Sequence, residues 1–151
     1  FTVYGPGQRP DMAFSRFIAQ LLAGQQLTVY GDGAQVRDFT YVDDAVRGTI
    51  AAAARGIPGS VYNIGGGHPT SLHETYEILG RILERKVEVR SLPEVPGDVR
   101  RTGADGALSR SQLDFEPQIV LPDGLNAQVK AALRELPKAR RRARRWTVER
   151  T

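Results

Sequence analysis

The sequence predicts an α/β fold, and three observations carry that expectation. Short β-branched and aromatic runs alternate along the chain with segments whose apolar residues recur at helical spacing. Gly and Pro punctuate the joints between them. A length of 151 residues, 40% hydrophobic and 25% charged, suits one core of ordinary globular composition.

Phe1-Thr2-Val3 reads as the end of a strand, followed by a loop, Tyr4 to Pro10, with two Gly and two Pro. Phe14, Phe17, Ile18, Leu21 and Leu22 then fall on one helical face, stopped by Gly24. Leu27 to Tyr30 is a strand, Gly31-Asp32-Gly33 a turn, and Val36 to Tyr41 a second, continuous strand. The paired acids Asp43 and Asp44 are expected to cap an alanine-rich helix ending near Gly56-Ile57-Pro58. Val61 to Ile64 has the composition of a buried strand, and Gly65-Gly66-Gly67 reads as a flexible loop behind it. Ser71 and Glu74 have capping-box spacing ahead of a helix with Leu72, Tyr76, Leu79 and Leu83 on one face. Val87 to Val89 is a short strand and Pro93 to Gly97 a loop. Asp105 is placed to cap a short helix ending before Pro117. Leu125, Val129, Ala132, Leu133 and Leu136 mark the last helix, stopped by Pro137.

There are no cysteines, which excludes disulfides and thiolate metal sites and fits a cytoplasmic protein. No window has the roughly 18 apolar residues of a membrane span, and no membrane partner is expected. The chain opens on Phe1 and its single methionine is Met12, so a piece of a longer protein is expected. The net charge of +4 is concentrated: residues 138–151 hold seven of the 21 basic residues and one acid, Glu149, leaving residues 1–137 at −2. The domain reading is therefore a folded portion, 1–137, and a basic, disordered tail, 138–151. One aromatic, Trp146, beside seven basic residues is thin support for nucleic-acid binding, so a solvated extension is the expectation. His68 and His73 have no carboxylates arranged around them, and no metal is expected.

Four segments, in order, resemble the second half of the extended short-chain dehydrogenase/reductase enzymes that act on sugar nucleotides. They are Phe1 to Pro6; Val29 to Gly33 with Arg37 to Asp44; Tyr62 to Gly65; and Pro96 to Val99 with Ala104-Asp105. The match covers residues 1–125. Complete members of that family have an N-terminal Rossmann half that holds NAD through a glycine fingerprint, and a catalytic Tyr-x-x-x-Lys pair. The sequence contains neither pattern. The resemblance thus implies the C-terminal, substrate-binding part, with the Rossmann half missing, NAD held mainly elsewhere, a UDP-sugar as substrate and a homodimer in the complete enzyme. Such enzymes oxidise the sugar at C4 by hydride transfer and reduce it again from the other face. A 4-epimerase of UDP-hexoses or UDP-uronic acids is the first expectation, a 4,6-dehydratase or a non-catalytic truncated product the alternatives. The chain by itself is expected to be inactive.

The resemblance also assigns residues. Arg37 stands where the family's arginine meets the diphosphate, a fit to its planar bidentate fork; the alternative is a salt bridge to Asp38 or Asp32. Thr28, Val29 and Tyr30 lie on the strand that borders the base, or form a plain core strand. Phe1 and Thr2 match the strand that closes over nicotinamide and substrate. Thr2, where many members have Asn, resembles the uronic-acid epimerases, as does Arg9. Arg9 and Thr2 are therefore expected at a sugar carboxylate, unless Arg9 only pairs with Asp11. Ala13 and Phe14 match substrate-touching positions or simple helix-start core. Asp98 matches a position near ribose and phosphates, or serves the loop turn. Val95 stands where some relatives have an arginine, and Arg100 or Arg101 could replace it.

Overall fold

The computed structural model describes residues 2–136. The expectations for Phe1 and for the tail 138–151 lie outside the described residues. The order of elements is β1 (Thr2–Tyr4), α1 (Ala13–Leu22), β2 (Leu27–Tyr30), β3 (Val36–Arg37), β4 (Phe39–Tyr41), α2 (Val42–Arg55), β5 (Thr70–Ser71), α3 (Leu72–Ile82), β6 (Val89–Leu92), α4 (Ala107–Leu113) and α5 (Leu121–Glu135). The class is α/β, as predicted. β1 pairs in parallel with β4, β2 in parallel with β6, and β3 antiparallel with β5.

The main core lies where α1, α3 and α5 cover the strands. All five residues of the predicted face of α1 are buried. They meet Tyr4, Leu27, Val29, Phe39, Tyr41, Leu79, Leu125 and Val129. Tyr4 packs edge-on against Phe14 and Tyr41, with centroids 5.3 and 5.5 Å away. A smaller cluster, Ala51, Leu113 and Phe115, joins α2 to α4. The α3 start follows its sequence signal: Ser71 Oγ accepts from the Glu74 N–H at 3.1 Å.

Several expectations are corrected. The strand expected over Val36–Tyr41 is two strands on different partners, because Asp38 turns inward between them. Its carboxylate is buried and accepts the Gly66 N–H at 2.9 Å and the Ala104 N–H at 3.0 Å. β3 is then free to pair with β5, and β4 with β1. The Asp43–Asp44 pair does not cap α2, whose N-cap, Tyr41, makes no side-chain cap bond. Asp44 is fully buried and accepts the N–H of Gln118 at 3.1 Å and of Ile119 at 3.0 Å. It also pairs with Arg47. One carboxylate thereby fastens α2 to the segment that leads into α5.

Val61–Ile64 joins no ladder among the described residues, and Val61 is 82% exposed. Side chains hold the segment instead. The Tyr62 hydroxyl accepts from the Ile57 N–H at 2.9 Å and donates to Gln112 Oε1 at 2.7 Å. Gly65 and Gly66 are not a flexible loop. A Cβ on Gly66 would stand 2.0 Å from the Phe39 carbonyl oxygen, so only glycine allows this approach. The strand expected at Val87–Val89 lies two residues later, at Val89–Leu92, in register with Leu27–Tyr30. At α4 the Asp105 carboxylate does accept the Ala107 N–H, at 3.0 Å.

Candidate functional site

β1, the loop behind it and β3 surround a cleft of about 780 Å³. Thr2 contributes from β1, Arg9 and Met12 from the loop, Arg37 from β3, and Thr102 from the strand-like segment beside it. Three of the predicted binding residues, Thr2, Arg9 and Arg37, therefore share one hollow.

Arg37 stands on β3, between the antiparallel ladder to β5 and a parallel bridge from Val36 to Arg101. Its Nη1 donates to the Val36 carbonyl at 2.8 Å, and its Nη2 pairs with Asp98 Oδ1 at 2.5 Å. The guanidinium is held from two sides and is only 20% exposed, which suits a fixed anion-binding fork. Its partner is Asp98, not Asp38 or Asp32. Asp98 sits in a turn in which its N–H donates to the Val95 carbonyl at 3.0 Å. Two predicted site residues 61 positions apart thus form one ion pair.

Arg9 is well exposed and pairs with Asp11 at 3.3 Å, so the loop-shaping contact is present. Its Nη2 also reaches Met12 Sδ at 3.5 Å. An exposed pair of this kind contributes little and can be exchanged for another anion. Arg100 is engaged by Asp32 at 3.0 Å and Glu94 at 3.8 Å. The Ala34 backbone N–H, and then Arg100, hold the Asp32 carboxyl below the usual range. Arg101 is exposed and has no ion pair among the described residues.

The other predicted positions lie away from the lining of the cleft. Thr28 is half-buried opposite Arg90, Val29 is buried in the core, and Tyr30 is 42% exposed at the strand end. The Tyr30 carbonyl accepts from Gln35 Nε2 at 2.8 Å. Ala13 packs against the core and Phe14 is buried in it, its ring 4.5 Å from Phe39. Sequence reasoning missed Gln8, Ser15 and Gln128, which fasten the loop from behind. Gln128 is 123 positions from the amide it binds, so no local pattern could mark it.

Among the described residues there is no cluster of three or more potential metal ligands. The glycine run does not fit a dinucleotide pyrophosphate. A Cβ at Gly65 would meet Ala104 Cβ at 2.3 Å and Asp38 Oδ2 at 2.8 Å, so this backbone is already covered by protein. No described helix is long and apolar enough to cross a membrane.

This arrangement brings a fixed arginine fork, a second arginine on a loop and a threonine to the lining of one hollow. The profile of the NAD dependent epimerase/dehydratase family matches residues 1–65. A UDP-glucuronate 4-epimerase of Thermodesulfobacterium geofontis is 41% identical over 130 residues, 85% of this chain and 40% of the relative. A dTDP-glucose 4,6-dehydratase of Streptomyces griseus is 40% identical over 83% of this chain and 39% of its own length. A crystal structure of a Bacillus cereus UDP-glucuronic acid 4-epimerase, in complex with UDP-glucuronic acid and NAD, superposes with a TM-score of 0.86. The identity there is 43%, over 90% of this chain and 44% of that one. The match to the NAD dependent epimerase/dehydratase family thus rests on residues 1–65 and on these relatives, of whose length the chain spans about two fifths.

Proposed function

We propose that residues 1–137 form the UDP-sugar-binding portion of a cytoplasmic NAD-dependent nucleotide-sugar 4-epimerase, with UDP-glucuronate as the favoured substrate. The observation that carries this reading is the meeting of Thr2, Arg9 and Arg37 in one cleft. In it, Arg37 takes the diphosphate, because a half-buried, always-charged fork matches two phosphate oxygens. Asp98, released from or sharing Arg37, accepts a ribose hydroxyl. Arg9 exchanges Asp11 for the C6 carboxylate, and the Thr2 hydroxyl donates one more hydrogen bond to it. Hydride exchange at C4 is assigned to NAD bound mainly by segments outside these 151 residues; this chain orients the sugar. A dehydratase is the second reading, favoured by the 40% identity to the Streptomyces griseus enzyme.

The test titrates the isotope-labelled chain with UDP, UDP-glucose, UDP-glucuronate and dTDP-glucose. Arg37→Ala should weaken all four by about 10- to 100-fold, the loss of a charged hydrogen-bonding partner. Arg9→Ala should weaken UDP-glucuronate alone. Equal effects of Arg9→Ala on every ligand remove the uronate assignment. Tighter binding of dTDP-glucose than of any UDP ligand favours the dehydratase. Perturbed amides remote from Thr2, Arg9 and Arg37 overturn the site.

A further inference from the structure

The loop that carries Arg9 is a thin wall between two hollows. Gly5, Gly7 and Gln8 line the substrate-side cleft, and the same three residues line a second groove of about 690 Å³ behind it. The rear groove runs between α1 and α5 and is floored by Ile18, Ala19, Leu22, Ala131 and Ala132. The loop joins no strand ladder among the described residues, and Ser15 on α1 donates from its Oγ to the Gln8 carbonyl at 3.1 Å. Its own backbone bonds are Gln8 N–H to the Gly5 carbonyl and Met12 N–H to the Arg9 carbonyl, both 3.1 Å.

The loop backbone at Gly5 is held by a side chain from the far end of the described fold. Gln128 on α5 is 5% exposed. Its Oε1 accepts the Gly5 N–H at 3.1 Å, and its Nε2 donates to Gln8 Oε1 at 3.0 Å and to Ser15 Oγ at 3.4 Å. Gln8 Oε1 also accepts the Ser15 N–H at 3.2 Å, while Gln8 Nε2 donates to the Val3 carbonyl at 2.9 Å. Both ends of a buried amide are thus used, one on the loop backbone and one on the loop side chain. On a helix face whose neighbours Leu125 and Val129 are buried and apolar, leucine would pack without any hydrogen-bond requirement. A glutamine here is needed only for what it binds.

We propose that Gln128 is a positioning residue for the sugar nucleotide: it keeps the Gly5–Arg9 wall out of the rear groove, and so keeps Arg9 at the cleft. This rests on the reading of the cleft as a UDP-sugar site. Gln128 touches no substrate and acts through Gly5 and Gln8.

The experiment uses the 151-residue chain with two substitutions, Gln128→Leu and Gln128→Glu, each also combined with Arg9→Ala. Amide exchange at Gly5 reports the loop without any ligand, and titrations with UDP and UDP-glucuronate report its effect on binding. Gln128→Leu should raise Gly5 exchange and weaken UDP-glucuronate by about tenfold, the loss of one or two neutral hydrogen bonds, while sparing UDP. In the Arg9→Ala background it should cost nothing further, because the loop then carries no group to misplace. Gln128→Glu keeps an acceptor for Gly5 but loses the donor to Gln8 when ionised, and regains it when protonated. Its defect should therefore shrink as pH falls through the carboxyl titration, whereas that of Gln128→Leu should not. Equal losses for UDP and UDP-glucuronate, an additive loss with Arg9→Ala, or unchanged Gly5 exchange overturns the proposal. A parent chain that binds neither ligand sinks the sugar-nucleotide reading itself, whatever Gly5 exchange shows.

Discussion

Replacing Asp44 by alanine removes an acceptor that three donors share. The carboxylate is fully buried and accepts the Gln118 N–H at 3.1 Å, the Ile119 N–H at 3.0 Å and the Arg47 guanidinium. Without it the two backbone N–H groups have no replacement acceptor within the packed joint, at about 1–3 kcal/mol each. The Arg47 share is smaller because that side chain is 38% exposed and keeps a bond to the Glu116 carbonyl. The sum is about 3–5 kcal/mol, the range found when one partner of a buried pair is deleted. With an unfolding entropy of about 2.1 cal/mol/K per residue, that corresponds to a fall in Tm of about 10–18 °C. Urea unfolding followed by circular dichroism measures it, with an unchanged m-value expected. Asp43→Ala is the control. Asp43 is exposed one position earlier, and its loss should cost less than about 0.5 kcal/mol. Comparable losses from the two substitutions would mean that both act as helix-end charges, and would refute the buried-staple account.

Gly66→Ala should cost at least about 2 kcal/mol by urea unfolding, because its Cβ would lie 2.0 Å from the Phe39 carbonyl oxygen. Gly103→Ala, whose Cβ would meet only Pro69 Cγ at 3.6 Å, should be near neutral. The Tyr4 hydroxyl is buried without a hydrogen-bond partner among the described residues, and burial, followed by Tyr41, Asp44 and Asp123, pushes its ionisation well above the ordinary value of 10.0. A raised folded pKa means stability that is intact below about pH 10 and lost as pH rises through it. Tyr4→Phe should flatten that alkaline loss in a series of melts, and an unchanged slope would assign it to other groups. Calorimetric titration with NAD should show no micromolar binding to the 151-residue chain, since neither a glycine fingerprint nor a fitting glycine run is present. Val46 and Ile50, one turn apart on α2, are 51% and 62% exposed. Light scattering should show self-association that Ile50→Lys suppresses.

Elements whose signals are local were legible. The face of α1 follows from five apolar residues at helical spacing, and all five are buried. Ser71 and Glu74 set the start of α3 by a bond across three positions. Legibility failed where a distant group decides the local outcome. Nothing near Asp38 says that Gly66 and Ala104 will offer it their N–H groups and so break one strand into two. Asp44 looks like a helix-end acid because its true donors, Gln118 and Ile119, lie more than seventy positions on. In the cleft, Arg9 and Arg37 stand out as residue types in a family pattern. The pairing of Arg37 with Asp98 needs the loop after β6 folded back across β3, which no spacing shows. Gln128 is an ordinary polar residue on an amphipathic helix until its partners are seen.

The two buried carboxylates also set a timetable. The last donor to Asp38 is 66 positions later in the chain, and the first backbone donor to Asp44 is 74 positions later. At a synthesis rate of about 5–20 residues per second, each acid waits several seconds, about 4–15 s for Asp44, before its partners exist. Until Gln118 and Ile119 are made, α2 cannot seat the Asp44 carboxylate in the apolar joint without leaving its lone pairs short of donors. A nascent chain halted before residue 118 therefore holds Asp44 with Arg47 beside it but without its two backbone donors. Such a species would be open to proteolysis, and addition of Gln118 and Ile119 is the event that closes it.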